Sequence, residues 1–166
     1  MRHVVALTIR LATSRDADVL ARHRAEMFKD MGELPAALYD TLVQAARSYF
    51  SAAIPDGRYV AWVAELHERP GEIVGGAGLQ LRDLLPRPHP AGERLMRGPQ
   101  GLILNVFTER RWRRQGIAAG LMEELLRWTR AHGIESIVLH ASGEGRPLYE
   151  RLGFAPTNEM RYHGKA

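Results

Sequence analysis

The hexapeptide Arg113-Arg114-Gln115-Gly116-Ile117-Ala118 lies between an apolar run, Gly101 to Phe107, and an amphipathic segment, Ile117 to His132. The first reads as a buried strand and the second as a helix. A strand that passes through a glycine-containing turn into a helix restricts the architecture and gives the turn a chemistry. The first amides of a helix have no intrahelical acceptor, and the dipole places its positive end there, so the turn suits an anion. Gly116 has no Cβ to hold a phosphate away from the main chain. Along the helix, Ile117, Leu121, Leu125 and Trp128 form one apolar stripe, flanked by Ala118 and Met122. Glu123, Glu124, Arg127 and Arg130 fall largely on the opposite face, and Gly133 stands where helices commonly stop.

The rest of the chain alternates between the two periods. Leu7 to Leu11 reads as a strand. Ser14 can cap a helix from about Arg15 to Met31, and Pro35 opens a second helix to about Ala53. Tyr59 to Leu66 and Glu72 to Leu81 read as antiparallel strands joined by the turn Glu68-Arg69-Pro70-Gly71. Gly75-Gly76-Ala77-Gly78 sits inside the second of these, so it reads as a bulged strand with close backbone approach rather than a phosphate loop. Residues 83–99 hold four prolines and two glycines and read as a surface loop long enough to serve as a lid. After the central helix, Ser136 to Ala141 is β-rich, Glu144 to Leu152 forms a short helix ending at Gly153, and Phe154 starts a last extended piece. The order is β-α-α-β-β-β-α-β-α-β, an α/β (α+β) class with a mixed sheet in one domain over residues 1–166.

The 166 residues carry 45% hydrophobic and 25% charged side chains, ordinary for a soluble domain. No window approaches the roughly 18 apolar residues of a membrane span, and the apolar run Val4 to Leu7 is too short for a secretory segment, so a cytoplasmic protein is expected. Without cysteine there are no disulfides, no thiolate metal sites and no cysteine nucleophile, and no metal is expected. The net charge of +4 raises nucleic-acid binding as a possibility. Against it, arginines gather at a helix entrance, with no helix-turn-helix and no aromatic platform. Arg110, Arg111, Arg113 and Arg114 surround the turn and as a group would attract a polyanion.

The spacing Arg-x-x-Gly-x-Ala resembles the pyrophosphate signature of the GCN5-related N-acetyltransferase (GNAT) superfamily. The segment Leu148-Tyr149-Glu150-Arg151-Leu152-Gly153-Phe154 resembles that family's second hallmark. With both in order, the resemblance implies the GNAT fold, whose central strands splay apart, and an acetyl-CoA-dependent N-acetyltransferase. It assigns the phosphates to Arg113, Arg114, Gln115, Gly116, Ile117, Ala118 and Ala119, mostly through main-chain amides. It assigns the pantetheine arm to the main chain of Val106, Phe107 and Thr108, in the manner of an added strand. Their side chains belong in the core.

Tyr149 is the candidate general acid, since a phenol of pKa about 10 is protonated at neutral pH and can protonate a departing thiolate. Many family members carry Asn seven residues before this Tyr. Here Ser142 stands there, a shorter donor to the cofactor. The base is less defined: His140 at the end of its strand has a suitable pKa, and Glu109 after the central strand is the alternative. Asn105, polar in an apolar strand, either orients water or substrate or bonds a neighbouring strand. Glu26, Asp30 and Glu33 could receive a cationic acceptor or form a solvated face. The expected partner is an amine-bearing small molecule or a protein N-terminus, with no nucleic acid and no membrane. A homodimer is implied by analogy alone. A non-catalytic CoA-binding module is the alternative function.

Overall fold

The computed structural model describes residues 5–164, so Val4, where the short apolar run begins, lies outside the described residues. Five strands form the main sheet in the order β1-β2-β3-β6-β7. They are β1 (Leu7–Leu11), β2 (Tyr59–Leu66), β3 (Ile73–Arg82), β6 (Gln100–Thr108) and β7 (Ser136–Leu139). Neighbours run antiparallel except β6 and β7, which are parallel. Helices α1 (Ala17–Asp30) and α2 (Tyr39–Ala53) cover one face, α3 (Ile117–Ala131) the other, and a short α4 (Arg146–Arg151) follows β7.

Strand alternation builds both cores. Tyr59, Ala61 and Val63 of β2 pack with Leu20, Ala21, Phe50 and Ala53 of α1 and α2. Trp62, Ala64 and Leu66 point the other way, onto Ile117, Leu121, Met122 and Leu125 of α3. Burying a Leu or Phe side chain contributes about 1.5–3 kcal/mol, so each layer is held by several such groups. None of the described helices is long and apolar enough to cross a membrane.

Three details depart from the sequence reading, and the glycine run follows it. Helix α1 is entered through a 3₁₀ turn, Ser14–Asp16, and the cap of that turn is Thr13, not Ser14, in a reciprocal box with Asp16. Residues 83–99 are not wholly irregular: β4 (Arg87–Pro88) and β5 (Leu95–Met96) form a small hairpin. Arg94 pairs with Glu135 at 2.5 Å, and Arg87 donates to Ser136 Oγ at 3.2 Å, tying the hairpin to the start of β7. The glycine run of β3 does allow close approach, because a Cβ on Gly78 would collide with the buried Tyr59 hydroxyl. β3 is also bulged there: Val74 is the extra residue between the pairs Gly75↔Ala64 and Ile73↔Glu65, and a second bulge lies on β6 opposite Ala77. Finally, no strand forms after α4 among the described residues; Phe154 packs on the α3-side core and the chain leaves the sheet. Pro156, lacking an N–H, disfavours a ladder there.

Candidate active site

The site begins where two parallel strands part. β6 and β7 pair from Gln100↔Ser136 to Ile103↔Leu139, where β7 ends. β6 continues to Thr108, held on its other edge by Gly76↔Phe107 and Gly75↔Thr108 of β3. Main-chain groups beyond Ile103 therefore have an edge that no described strand covers. The same stretch is bulged: Asn105 and Val106 together oppose Ala77, and Asn105 takes φ 61°. Asparagine tolerates that left-handed conformation better than most residues. Its Nδ2 donates to the Leu20 carbonyl of α1 at 3.2 Å, so its partner is a helix rather than a neighbouring strand. Phe107 is buried and Val106 packs on the core, so their side chains are structural, while their main chain lies beyond the last β7 pair at Ile103.

The turn after β6 presents amides. Arg114 at φ 63° and Gly116 at φ 80° are both left-handed, the backbone pattern that in anion-binding nests turns successive N–H groups to one side. No side chain caps α3, and the first of its amides to find a main-chain acceptor is Gly120, on the Gly116 carbonyl at 3.0 Å. A Cβ on Gly116 would meet nothing within 4 Å, so the dihedral, not crowding in the protein, requires glycine. Ile117 is buried and offers only its amide, Ala118 and Ala119 are half-buried, and Arg114 and Gln115 are exposed.

The arginine group is less free than its number suggests. Arg110 pairs with Asp30 at 3.0 Å and Arg111 with Glu72 at 2.6 Å. Arg113 turns back: its Nε donates to the Thr108 carbonyl at 2.8 Å, its guanidinium also binds Asp30, and it lies 5.4 Å over the Phe107 ring. Arg113 and Arg110 hold the Asp30 carboxyl below its ordinary pKa. Arg114 has no ion pair among the described residues.

On the β7 side, Tyr149 and Ser142 meet over Gly145, where an added Cβ would lie 2.9 Å from the Tyr149 ring and 3.2 Å from Ser142 Oγ. Ser142 Oγ accepts from the Gly145 amide at 3.1 Å, and its carbonyl accepts from Arg146. Tyr149 is half-buried against Phe154, and burial raises its phenol pKa. His140 lies just past Leu139, its side chain 47% exposed, with Nε2 2.5 Å from Glu159.

One residue, His23, escapes the sequence reading. His23 on α1 is 1% exposed and packs on Phe107 with centroids 5.0 Å apart and the rings tilted by 42°. Its Nε2 lies 3.3 Å from Glu109 Oε1, which also accepts from Arg22 at 3.1 Å. The signal was present, since His23 stands three residues from the buried Leu20 on the helix's inner stripe. With Glu26, Lys29 and Asp30 these side chains line a cavity of about 510 Å³ between α1 and the end of β6. Glu26 accepts from Tyr39 at 2.7 Å, and burial together with this carboxylate pushes the Tyr39 phenol up to about 12. Glu33 is exposed and does not line that cavity.

Known proteins share this arrangement. A structure of a GCN5-related N-acetyltransferase from Ralstonia eutropha JMP134 matches with a TM-score of 0.81 and 30% identity, covering 95% of this chain and 98% of that one. A predicted acetyltransferase from Clostridium acetobutylicum, solved with acetyl-CoA, matches with a TM-score of 0.77 and 28% identity over 96% of each chain. In sequence, a glucosamine 6-phosphate N-acetyltransferase of Trypanosoma brucei brucei is 31% identical over 96 residues, which are 57% of this chain and 60% of that protein. The acetyltransferase (GNAT) family matches residues 24–154, from the middle of α1 through the Leu-Gly-Phe after α4. The chain belongs to that family.

Proposed function

We propose that this chain is an N-acetyltransferase that moves an acetyl group from acetyl-CoA to a primary amine by direct attack within a ternary complex. The observation that carries the reading is the uncovered main-chain edge of β6 past Ile103, beside a helix entrance whose first amides have no acceptor. An open strand edge suits the amides of a pantetheine arm, and converging N–H groups suit a pyrophosphate, so the residues present fit this cofactor. Bound acetyl-CoA supplies an activated thioester.

The rest is the work of side chains and main chain. Val106, Phe107 and Thr108 grip the arm through backbone groups. Arg114, Gln115, Gly116, Ile117, Ala118 and Ala119 cradle the phosphates, and Arg113 braces the strand end through the Thr108 carbonyl. Ser142 contributes its remaining hydroxyl proton as a donor. Tyr149, kept protonated by burial, delivers a proton to the departing sulfur. The acceptor nitrogen attacks as a neutral amine, and the two bases that follow the splayed strands are His140 after β7 and Glu109 after β6. No cysteine is present to form an acyl-enzyme.

The charged cavity between α1 and β6 suits a compact polar acceptor. The trypanosomal relative makes glucosamine 6-phosphate the first to try, beside a polyamine, an aminoglycoside, an amino acid and a peptide with a free N-terminus. Release of free CoA thiol with each acceptor tests the reading. Turnover with at least one, with intersecting double-reciprocal lines, is expected. Binding of acetyl-CoA without turnover of any amine would favour a non-catalytic module. Parallel lines with a stable acetyl adduct would replace direct attack by a ping-pong route.

A further inference from the structure

The His23–Glu109 contact has features that packing alone does not require. His23 is enclosed between α1, Phe107 and β3, and its Nδ1 has no partner among the described residues. That nitrogen turns toward Gly76, where an added Cβ would lie 3.9 Å from it. An orphaned buried nitrogen is a cost that an apolar side chain in the same place would avoid. The other nitrogen makes the ring's single hydrogen bond, to Glu109. An ionised carboxylate only accepts, so Nε2 carries the hydrogen and His23 is the neutral Nε2–H tautomer. Burial keeps it so by holding the pKa of His23 below its ordinary value.

Glu109 is fixed from both sides. Its amide donates to the Val74 carbonyl at 2.8 Å, anchoring the backbone just past the open stretch of β6. Arg22 and His23 both donate to Oε1, and no described side chain hydrogen-bonds Oε2. The Glu109 side chain is 25% exposed and lines the cavity between α1 and β6. Two donors on one oxygen orient the carboxylate and leave the other oxygen available. His140, by contrast, is half exposed, and its Nε2 is engaged by Glu159.

We propose that His23 is a positioning residue which, with Arg22, holds Oε1 of Glu109 so that Oε2 receives a proton from the acceptor's ammonium group. The inference rests on the acetyltransferase reading and selects its base. The ammonium gives one proton to Glu109 Oε2, and the freed nitrogen lone pair forms the C–N bond to the acetyl carbon. The C–S bond breaks with its electron pair on sulfur, which takes the proton of Tyr149. The second proton lost by nitrogen restores Tyr149, and Glu109 returns its proton to solvent. The net change is one amide, one thiol and one released proton.

Four proteins test it: the parent, Glu109→Gln, His23→Leu and His23→Gln, each titrated calorimetrically with acetyl-CoA and assayed with the fastest acceptor of the amine panel. All four are expected to bind acetyl-CoA alike. Glu109→Gln should lose about 10²–10⁴-fold in kcat. His23→Leu should lose about tenfold or more in kcat, the factor carried by one hydrogen bond to a charged group, with little change in KM. His23→Gln, whose amide can still donate to Glu109, should recover most of that loss, which a merely space-filling role would not predict. In the parent, ¹⁵N-histidine spectra should show His23 as the neutral Nε2–H tautomer. Parent-like kcat in Glu109→Gln or His23→Leu, or an Nδ1–H tautomer, would overturn the inference. A parent that turns over while Glu109→Gln is unimpaired overturns this inference alone, whereas a parent that fails to bind acetyl-CoA overturns the acetyltransferase reading beneath it.

Discussion

Gly116→Asp separates the cofactor cradle from the stability of the fold. In the folded chain Gly116 sits at φ 80°, and a Cβ there meets nothing within 4 Å. The substitution therefore creates no collision and costs chiefly the left-handed backbone of a non-glycine residue, about 1–2 kcal/mol. Aspartate is among the residues that bear this best, and a negative charge at the start of α3 returns about 0.3–1 kcal/mol through the helix dipole. Net destabilisation should thus stay near 1 kcal/mol, a few degrees in Tm for a domain of this size. Binding is affected far more. A carboxylate about 4 Å from a phosphate, at an effective dielectric of about 20, repels it by about 4 kcal/mol per unit charge, or roughly a thousandfold in Kd. Gly116→Ala carries the backbone strain without the charge and should keep most of the affinity. Calorimetric titration with acetyl-CoA, alongside thermal melts of all three proteins, reads both quantities. If Gly116→Asp binds acetyl-CoA as tightly as the parent, the pyrophosphate does not lie at this turn.

Tyr149→Phe removes one hydroxyl from a half-buried ring and should leave acetyl-CoA affinity unchanged while lowering kcat by about 10²–10⁴-fold. Because burial raises the Tyr149 pKa, the parent's kcat should not fall from its ionisation until the pH exceeds the ordinary phenol value of about 10; a fall below that value would assign it to another group. Asp16 is the stability test. Burial alone would raise its pKa, but the Arg10 guanidinium, bonded to both oxygens at 2.9 and 3.0 Å, and the Thr13 amide outweigh it and leave the pKa lowered. A lowered folded-state pKa means that the contribution is present above the unfolded value of about 3.9 and is lost as pH falls through the folded one. Asp16→Asn should cost about 1–3 kcal/mol at pH 7, with the gap to the parent narrowing below about pH 4; a gap that stays constant across that range would remove the linkage.

The elements that sequence periodicity resolved are those whose signal is local. β1 and β2 begin and end where the reading placed them, and α3 starts at Ile117, directly after the glycine at its entrance. What escaped depends on partners distant in the chain. The bulge at Asn105 exists only relative to β3 and is anchored by a carbonyl 85 positions earlier. The hairpin of β4 and β5 is a short ladder within a proline-rich stretch that reads as a loop, and it is fastened from outside by Glu135 and Ser136. The expected final strand failed for the opposite reason. Phe154 has its apolar contact in the core, but no described partner strand receives the segment that follows. His23 was passed over because a histidine on an apolar helical stripe becomes informative only when Glu109 and Phe107 are placed against it.

Arg113 illustrates how charge read in sequence differs from charge available in space. Four arginines around an anion-binding turn suggest a strongly positive entrance, yet Arg110 and Arg113 share Asp30 and Arg111 is matched by Glu72. On the proposed reading, attraction of a pyrophosphate would rest on the uncapped amides of α3 and on Arg114, a weaker but better directed source, because main-chain dipoles are held in place by the helix itself. The paired arginines have a different consequence. Through Asp30, Arg113 joins the end of α1 to the Thr108 carbonyl while lying over Phe107. One side chain thus ties the strand edge proposed for the cofactor to the helix that lines the cavity proposed for the acceptor. In a ternary mechanism both substrates must be held in register at the end of β6. Under the proposed mechanism, the Arg113 contacts between those two elements would supply that register, which a freely solvated arginine could not.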